Sequence, residues 1–527
     1  MDLLLENARI VDGTGSPWFR GHVGVRDGRI VRIDRGTPLD ASAEERVDLE
    51  DEVLCPGFID AHSHSDLQPF VDPTLEPKLR QGVTTEILGQ DGFSMAPLVD
   101  GDRETWRRHL AALTGEVDQS FAWGGVDEYL DAVSEAGVAP NVATLVGHGT
   151  VRYEAMGMAD RDPTDEDFQA MCDLVDAALE DGAIGFSTGL VYAPQVNAPT
   201  EEVRRLASRL APYGRPFVAH IRNEGREIWA ALDEFFDVGA SEGIPLHISH
   251  FKVSGTAQQG YAGRVLEVMA AARARGIDVT ADQYPYAAGN TMLSSILPPW
   301  IHGDGPDELL NRLDEPDVRR RLRRDFDEWR PEDWQNQAIK TGWENIEVRN
   351  VDDADAEGED LATLAEARDQ HPAEVVCDVL LEHGLSVGMI VRALSEDDVR
   401  TILRHDDVAV ASDGLFGERP HPRVYGTYPR VIGHYVREEN VLSLPAAVRK
   451  MTALPARAMG LDERGLIRPG MVADLVVFDP KLVGSPATYD DPHQYPVGIS
   501  DVIVGGTFAV RDGETTGQTP GEVIRAT

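Results

Sequence analysis

Through the middle of the chain, short apolar runs alternate with longer stretches in which apolar residues recur every three or four positions. The short runs predict strands at residues 57–62, 83–88, 141–146, 183–187, 216–220, 245–250, 278–284 and 408–412. The longer stretches predict amphipathic helices, among them 164–180, 201–210 and 264–275, each followed within a few residues by glycine. Strand, helix, strand, repeated about eight times, is the pattern of a parallel (β/α)8 TIM-like barrel. A ninth apolar run at 387–394 means that one candidate lies outside the barrel. The rhythm also breaks from about 289 to 350. That stretch holds Pro298, Pro299 and Trp300 and a charged helical run at 318–329, and it reads as an inserted lid or subdomain.

Both ends follow a different pattern, of short strands joined by Asp-Gly or Gly-Gly turns. At the start these are Asp12-Gly13 and Asp27-Gly28; near the end they are Gly505-Gly506 and Asp512-Gly513. The expected organisation is therefore a small β-sandwich domain built from residues 1–55 and 465–527. It flanks a barrel over 56–464.

Composition narrows the function. With 42% hydrophobic and 27% charged residues the chain is globular rather than disordered. A net charge of −42 argues against nucleic acid and against anionic membrane surfaces as partners. Arginine greatly outnumbers lysine, which occurs only at Lys78, Lys252, Lys340, Lys450 and Lys481. A GC-rich genome and salt adaptation both fit these charges. Cys55, Cys172 and Cys377 are far apart with no CxxC spacing, so a reducing cytoplasm is the expected compartment. The opening segment reads as a strand rather than a signal peptide. No apolar run approaches the ~18–20 residues of a membrane span.

His62 and His64 are two apart after an apolar strand, so they share one face. Two surface histidines would look the same. However, His220 and His250 each end a strand candidate and Asp413 ends the last one, where barrel active sites are built. Three strands ending in metal-type residues are hard to explain by packing alone. His247, out of phase with His250, is expected to face the helices. Asp91, in Gly89-Gln90-Asp91-Gly92, is either a turn residue or a carboxylate bridging two metals.

The segments PGFIDAHSHSD, GVTTEILGQDGFSMAPL, GFSTGLVYAP, HIRNE, SHFKVSG, TADQYPYAAGNT, ASDG and HPRVYGTYPRVIGHYVRE follow one another in a way that resembles the N-acyl-D-amino-acid deacylases (D-aminoacylases) of the amidohydrolase superfamily. The resemblance covers nearly the whole chain. It implies a tightly held Zn2+ at Asp91, His220 and His250, and a second, weaker position near His62 and His64. Asp413 is implied as the acid/base. Tyr192, Lys252, Tyr284, Arg423 and Asn290 fall where the family holds the substrate carboxylate and polarises the scissile carbonyl. Two positions depart from the pattern. Better-known members carry cysteine where this chain has Asp91, and serine where it has Asn290.

The implied reaction is zinc-dependent hydrolysis of a small-molecule substrate, an N-acyl-D-amino acid, to a carboxylate and a free D-amino acid. The segment at 291–297 has no basic residue, so neutral or hydrophobic side chains are expected. Three rivals stand beside this reading. Cyclic-amide hydrolases usually use a fourth-strand lysine, which is missing here. A deaminase is suggested by Glu224 near His220. A metal-free scaffold would have been free to lose ligand types that this chain keeps.

Overall fold

The computed structural model describes residues 1–36, 42–50, 52–115, 122–330 and 334–526. Its centre is an eight-stranded parallel barrel. The strands are β1 (Phe58–Asp60), β2 (Val83–Leu88), β3 (Asn141–Thr144, resuming at Val146–Gly147), β4 (Phe186–Gly189), β5 (Phe217–His220), β6 (Leu246–Ile248), β7 (Val279–Gln283) and β8 (Val408–Val410). Hydrogen-bonded pairing runs from β1 through β3 and from the second half of β3 through β8. Closure comes just beyond the strand ends, where Ser63 bridges Gly414 and the Asp413 N–H donates to the His62 carbonyl at 2.9 Å.

Alternation along the strands sorts their side chains. Phe217, Ala219, Leu246, Ile248, Val279 and Ala281 join the helix-facing core with residues such as Leu232, Phe235 and Met269. Ile59, Ile87, Leu145 and Val218 turn inward and meet Ala456 and Met459. The helices begin where their caps dictate. Thr164 accepts from the Asp167 N–H at 3.2 Å while Asp167 accepts from the Thr164 N–H at 2.7 Å, a reciprocal cap that starts Asp165–Glu180.

The ninth apolar run belongs to neither the barrel nor a loop. Gly388–Val391 is the central strand of an antiparallel sheet, flanked by Gly289–Met292 and Ile346–Arg349. This sheet has its own core, including Leu293, Ile301, Leu322, Phe326, Val376 and Met389. The excursion between β7 and β8 therefore carries one packed unit that reaches beyond residue 350, where the sequence pattern alone suggests an end.

The two chain ends form a single nine-stranded sheet. Val53–Pro56 pairs in parallel with Leu3–Ile10 and antiparallel with Leu475–Phe478. The sheet folds over itself, so that Val23, Val25 and Ile30 share a core with Ile503 and Phe508. Its other face, including Val53, Cys55, Val476 and Phe478, packs on the barrel. Among the described residues no helix is long and apolar enough to cross a membrane.

Candidate metal centre

The strand ends on the carboxyl side of the barrel bring the predicted ligands together. His62 and His64 follow β1, and Asp413 follows β8. A buried lysine underneath ties the two strands. Lys78 Nζ lies 2.8 Å from the carboxylates of Asp60 and Glu86, 2.8 Å from Ser412 Oγ and 2.9 Å from Ser63 Oγ. Asp60 also accepts from the Ser412 N–H at 2.9 Å. Lys78, Asp60 and Glu86 are all fully buried. The cluster thus sets the register of β1 against β8 one residue away from three candidate site residues.

Asp91 is aimed by its turn. Its φ is +55°, and the flanking Gly89 and Gly92 are also left-handed, at +72° and +78°. A side chain at Gly92 would collide with Gln195, whose amide donates to the Asp91 carbonyl at 2.8 Å. A side chain at Gly89 would collide with the Leu145 carbonyl. His250 and Asp413 are likewise left-handed, at φ +34° and +50°. Strained non-glycine backbone is costly and concentrates at functional sites.

His220 closes β5 and His250 follows β6. Glu224 organises both: its carboxylate lies 3.1 Å from His250 Nδ1, 3.7 Å from His220 Nε2 and 2.6 Å from Lys252 Nζ. His247 differs from expectation. It shares a strand face with Val218 and Thr280 and points into the barrel, because its Nε2 finds the Asp282 carboxylate at 2.9 Å. Asp282 in turn accepts from the His250 N–H at 2.7 Å and lies 3.8 Å from His62 Nδ1. A layer of polar contacts therefore sits directly below the ligands.

The ligand-type atoms form two groups that share one carboxylate. One comprises Asp91, His220 and His250; the other comprises His62, His64, Asp91 and Asp413. Asp91 lies 3.4 Å from His250, 3.9 Å from His220, 3.6 Å from His62 and 3.7 Å from His64, and His64 is 3.4 Å from Asp413. Ligands about 2.0–2.1 Å from a tetrahedral zinc are separated by roughly 3.3–3.4 Å; the two 3.4 Å spacings match that value and the other three are wider by 0.2–0.5 Å. Both ring nitrogens of His62 and of His220, and Asp91 Oδ1, are buried without a hydrogen-bond partner among the described residues. Each such group costs about 1–3 kcal/mol if left unsatisfied. A cation would satisfy Asp91 Oδ1 and one nitrogen of each ring, the other nitrogen facing Asp282 in His62 and Glu224 in His220, and the donor set of imidazoles and carboxylates fits zinc.

Burial works against charge on Asp91, but the imidazoles of His62, His250 and His220 outweigh it and hold its carboxyl well below the ordinary carboxylate range. Asp413 behaves similarly. Burial would raise its pKa, and the Arg423 charge, followed by His64, His62 and His250, brings it below the usual value. Arg423 Nη1 lies 2.8 Å from Asp413 Oδ2, and the arginine is fully buried. The structure therefore places Arg423 behind Asp413, with Nη2 donating to the Asn290 carbonyl at 2.9 Å, and not in the open cleft. Asn290 lines the cleft, but its amide donates to the Met389 carbonyl at 3.1 Å. Tyr192, Lys252 and Tyr284 line the cleft as well. Tyr192 packs edge-on against His220, and its hydroxyl lies 2.9 Å from Thr291 Oγ1. Tyr284 lies under both Lys252 and Arg423. Its burial raises the phenol pKa and keeps the proton in place.

Residues 45–510 match the profile of the Amidohydrolase family. Over its full length the chain is 36% identical to the D-aminoacylase of Alcaligenes xylosoxydans xylosoxydans, covering 98% of that protein. The chain belongs to the D-aminoacylase branch of the amidohydrolases. It is also 35% identical to the N-acyl-D-glutamate deacylase of the same organism, covering 96% of it. The crystal structure of N-acyl-D-glutamate deacylase from Bordetella bronchiseptica superposes with a TM-score of 0.82 at 34% identity, each chain covered completely. That enzyme was crystallised with zinc and a phosphonate mimicking the tetrahedral intermediate.

Three features of this amidohydrolase escape sequence reasoning. Asp282 lies inside an apolar strand, and only its in-phase position with Thr280 hints that it points inward. Glu224 is visible in the sequence, but its service to His220, His250 and Lys252 together is not. Lys78 has no local signal at all, because a lysine is almost always exposed.

Proposed function

We propose that this amidohydrolase cleaves the amide bond of N-acyl-D-amino acids, releasing a carboxylate and a free D-amino acid. The observation that carries the proposal is Asp91, shared between two ligand groups, with Asp413 beside it in the second. The names and zinc content of the relatives support both the D-amino acid and the metal. Asp91, His220 and His250 would hold the tighter ion, with a second, weaker position at His62 and His64. Bound zinc supplies Lewis acidity, polarising the amide carbonyl and making water acidic enough to ionise near neutral pH.

The remaining chemistry belongs to the side chains. Asp413, ionised and 3.4 Å from His64, accepts a proton from the attacking water and returns it to the leaving nitrogen. Arg423 orients that carboxylate. The Tyr284 hydroxyl, kept protonated, donates toward the carbonyl oxygen as charge develops there. Lys252 is placed for the substrate carboxylate, and a fixed anchor of that kind lets a site select one stereoisomer.

Neutral or hydrophobic side chains are the favoured substrates. Beyond Tyr192 lies a chamber of about 510 Å3 whose wall mixes apolar residues such as Leu190, Val196 and Met292 with polar ones such as Asn197, Asn223 and Glu227. Its arginine, Arg222, is held by Glu234 at 2.9 Å, and His109 and His302 are pushed down to about 4 by burial and so stay neutral. The three free cysteines fit a reducing compartment, the cytoplasm. The deciding measurement is turnover of a matched panel of N-acetyl-D and N-acetyl-L amino acids by the zinc-loaded protein. Hydrolysis of the D-Met and D-Leu derivatives is expected. Equal rates on both hands would refute the D assignment, and preference for the D-Glu derivative would refute the side-chain class.

A further inference from the structure

Among the described residues Lys252 lines the cleft, the charged groups of two further cations, Arg423 and Lys340, are buried behind its wall, and the first two of these three are already neutralised. Arg423 is held by Asp413 at 2.8 Å and Lys252 by Glu224 at 2.6 Å. The third, Lys340, comes from the inserted subdomain, on the short helix Gln337–Thr341. Its ammonium is shut away from solvent and has no hydrogen-bond partner among the described residues. It is nonetheless close enough to Glu224 and Lys252 to feel both charges. Burial, opposed by Glu224 and assisted by Lys252, brings its pKa down to about 7.

The route of this side chain is built into the backbone. It crosses Gly225 and Gly255, which directly follow the cleft residues Glu224 and Ser254. A Cβ at Gly225 would lie 2.7 Å from Lys340 Cδ, and one at Gly255 would collide with Lys340 Cγ. The loops after β5 and β6 are themselves tied together, since the Ser254 N–H donates to the Glu224 carbonyl at 2.8 Å. Gln337, three residues earlier and hence on the same helix face, lines the cleft with a buried, unpartnered Oε1. An isolated buried ammonium is unfavourable unless something anionic completes it.

We propose that Lys340 is a substrate-binding residue that joins Lys252 in holding the carboxylate of the N-acyl amino acid. The inserted subdomain thereby completes the anion subsite. The inference rests on the hydrolase reading above. It assigns Lys340 to recognition of the carboxylate and to no step of bond cleavage.

The test compares N-acetyl-D-methionine with its neutral carboxamide on zinc-loaded wild type, Lys340→Met and Lys340→Arg. Losing one charge-assisted contact to the carboxylate should raise KM for the acid roughly 10- to 100-fold in Lys340→Met. KM for the carboxamide should move only a few-fold, kcat on either substrate should change little, and Lys340→Arg should recover part of the loss. Melting temperature should not fall in Lys340→Met, because no partner is left behind. Equal shifts on acid and carboxamide, or no shift on either, would overturn the proposal. If wild type hydrolyses neither compound, the hydrolase reading fails, and calorimetric binding of N-acetyl-D-methionine then decides about Lys340. Weaker binding by Lys340→Met would still support it, whereas equal binding or none by wild type would overturn it.

Discussion

Replacing Lys78 by methionine should damage both stability and catalysis, although Lys78 touches no candidate ligand. The side chain is fully buried and neutralises two carboxylates, Asp60 and Glu86, each 2.8 Å from its Nζ. Removing one partner of a buried ion pair typically costs about 3–5 kcal/mol, because the other charge stays buried and uncompensated. Here two carboxylates are left, so the upper end of that range is expected. At about 2.1 cal/mol/K of unfolding entropy per residue, a chain of 527 residues loses only about 4–5 °C of melting temperature for that cost. The pH dependence has a definite sign. Burial lowers the Lys78 pKa, but Asp60 and Glu86 outweigh it and raise it above 10.5. The wild-type contribution is therefore intact at neutral pH and is lost only as pH rises through that higher value. Because the cluster sets β1 against β8, a displacement of about 1 Å at Asp413 would lower kcat roughly 100-fold. Thermal melts from pH 5 to 9, with turnover at 25 °C, provide the readout. A Lys78→Met protein as stable as wild type would refute the reasoning. So would a Lys78→Met, Glu86→Gln double variant no more stable than the single one.

Asp413→Asn keeps the shape of the side chain but removes the proton acceptor. Its kcat should fall about 10²- to 10⁴-fold, with zinc content by atomic absorption unchanged. Arg423→Gln removes the largest favourable influence on the Asp413 carboxyl. Since the ionised form is the active one, the acid limb of the pH–rate profile should move to higher pH, and an unmoved limb would show that Arg423 does not tune Asp413. Chelation should abolish activity and remove about 4 kcal/mol of unfolding free energy if free zinc had been 1,000-fold above its Kd, with a matching fall in melting temperature. Added zinc should restore both. Asp91→Ala, which removes the ligand shared by both groups, should resist that restoration.

Much of the barrel is legible in the sequence because a buried parallel strand leaves a short apolar run and its functional residue follows at the carboxyl end. His220, His250 and Asp413 are found that way, and His62 and His64 by their spacing of two. The insertion is only half legible. Residues 388–391 are as apolar as any barrel strand, and nothing local says that their partners are antiparallel neighbours from 289–292 and 346–349. Arg423 illustrates a different limit. A motif places an arginine near the site, but whether it meets a substrate or an aspartate depends on which anion lies within 3 Å in the folded protein. His247 is misread because a register argument made at the strand end, at His250, is carried back across a residue with φ of +34°, where alternation no longer holds.

The sheet that joins the two ends of the chain has a consequence for synthesis. Leu3–Ile10 and Val53–Pro56 leave the ribosome well ahead of Leu475–Phe478, which pairs with Val53–Pro56 and is made more than 400 residues later. At about 5–20 residues per second the wait is on the order of 20 to 90 s. Throughout that interval the apolar edge of Val53–Pro56 lacks this partner, while the barrel it belongs beside is still incomplete. Yield of soluble protein should therefore depend on what shields that edge during translation, such as a chaperone or a low growth temperature, more than on the stability of the finished fold.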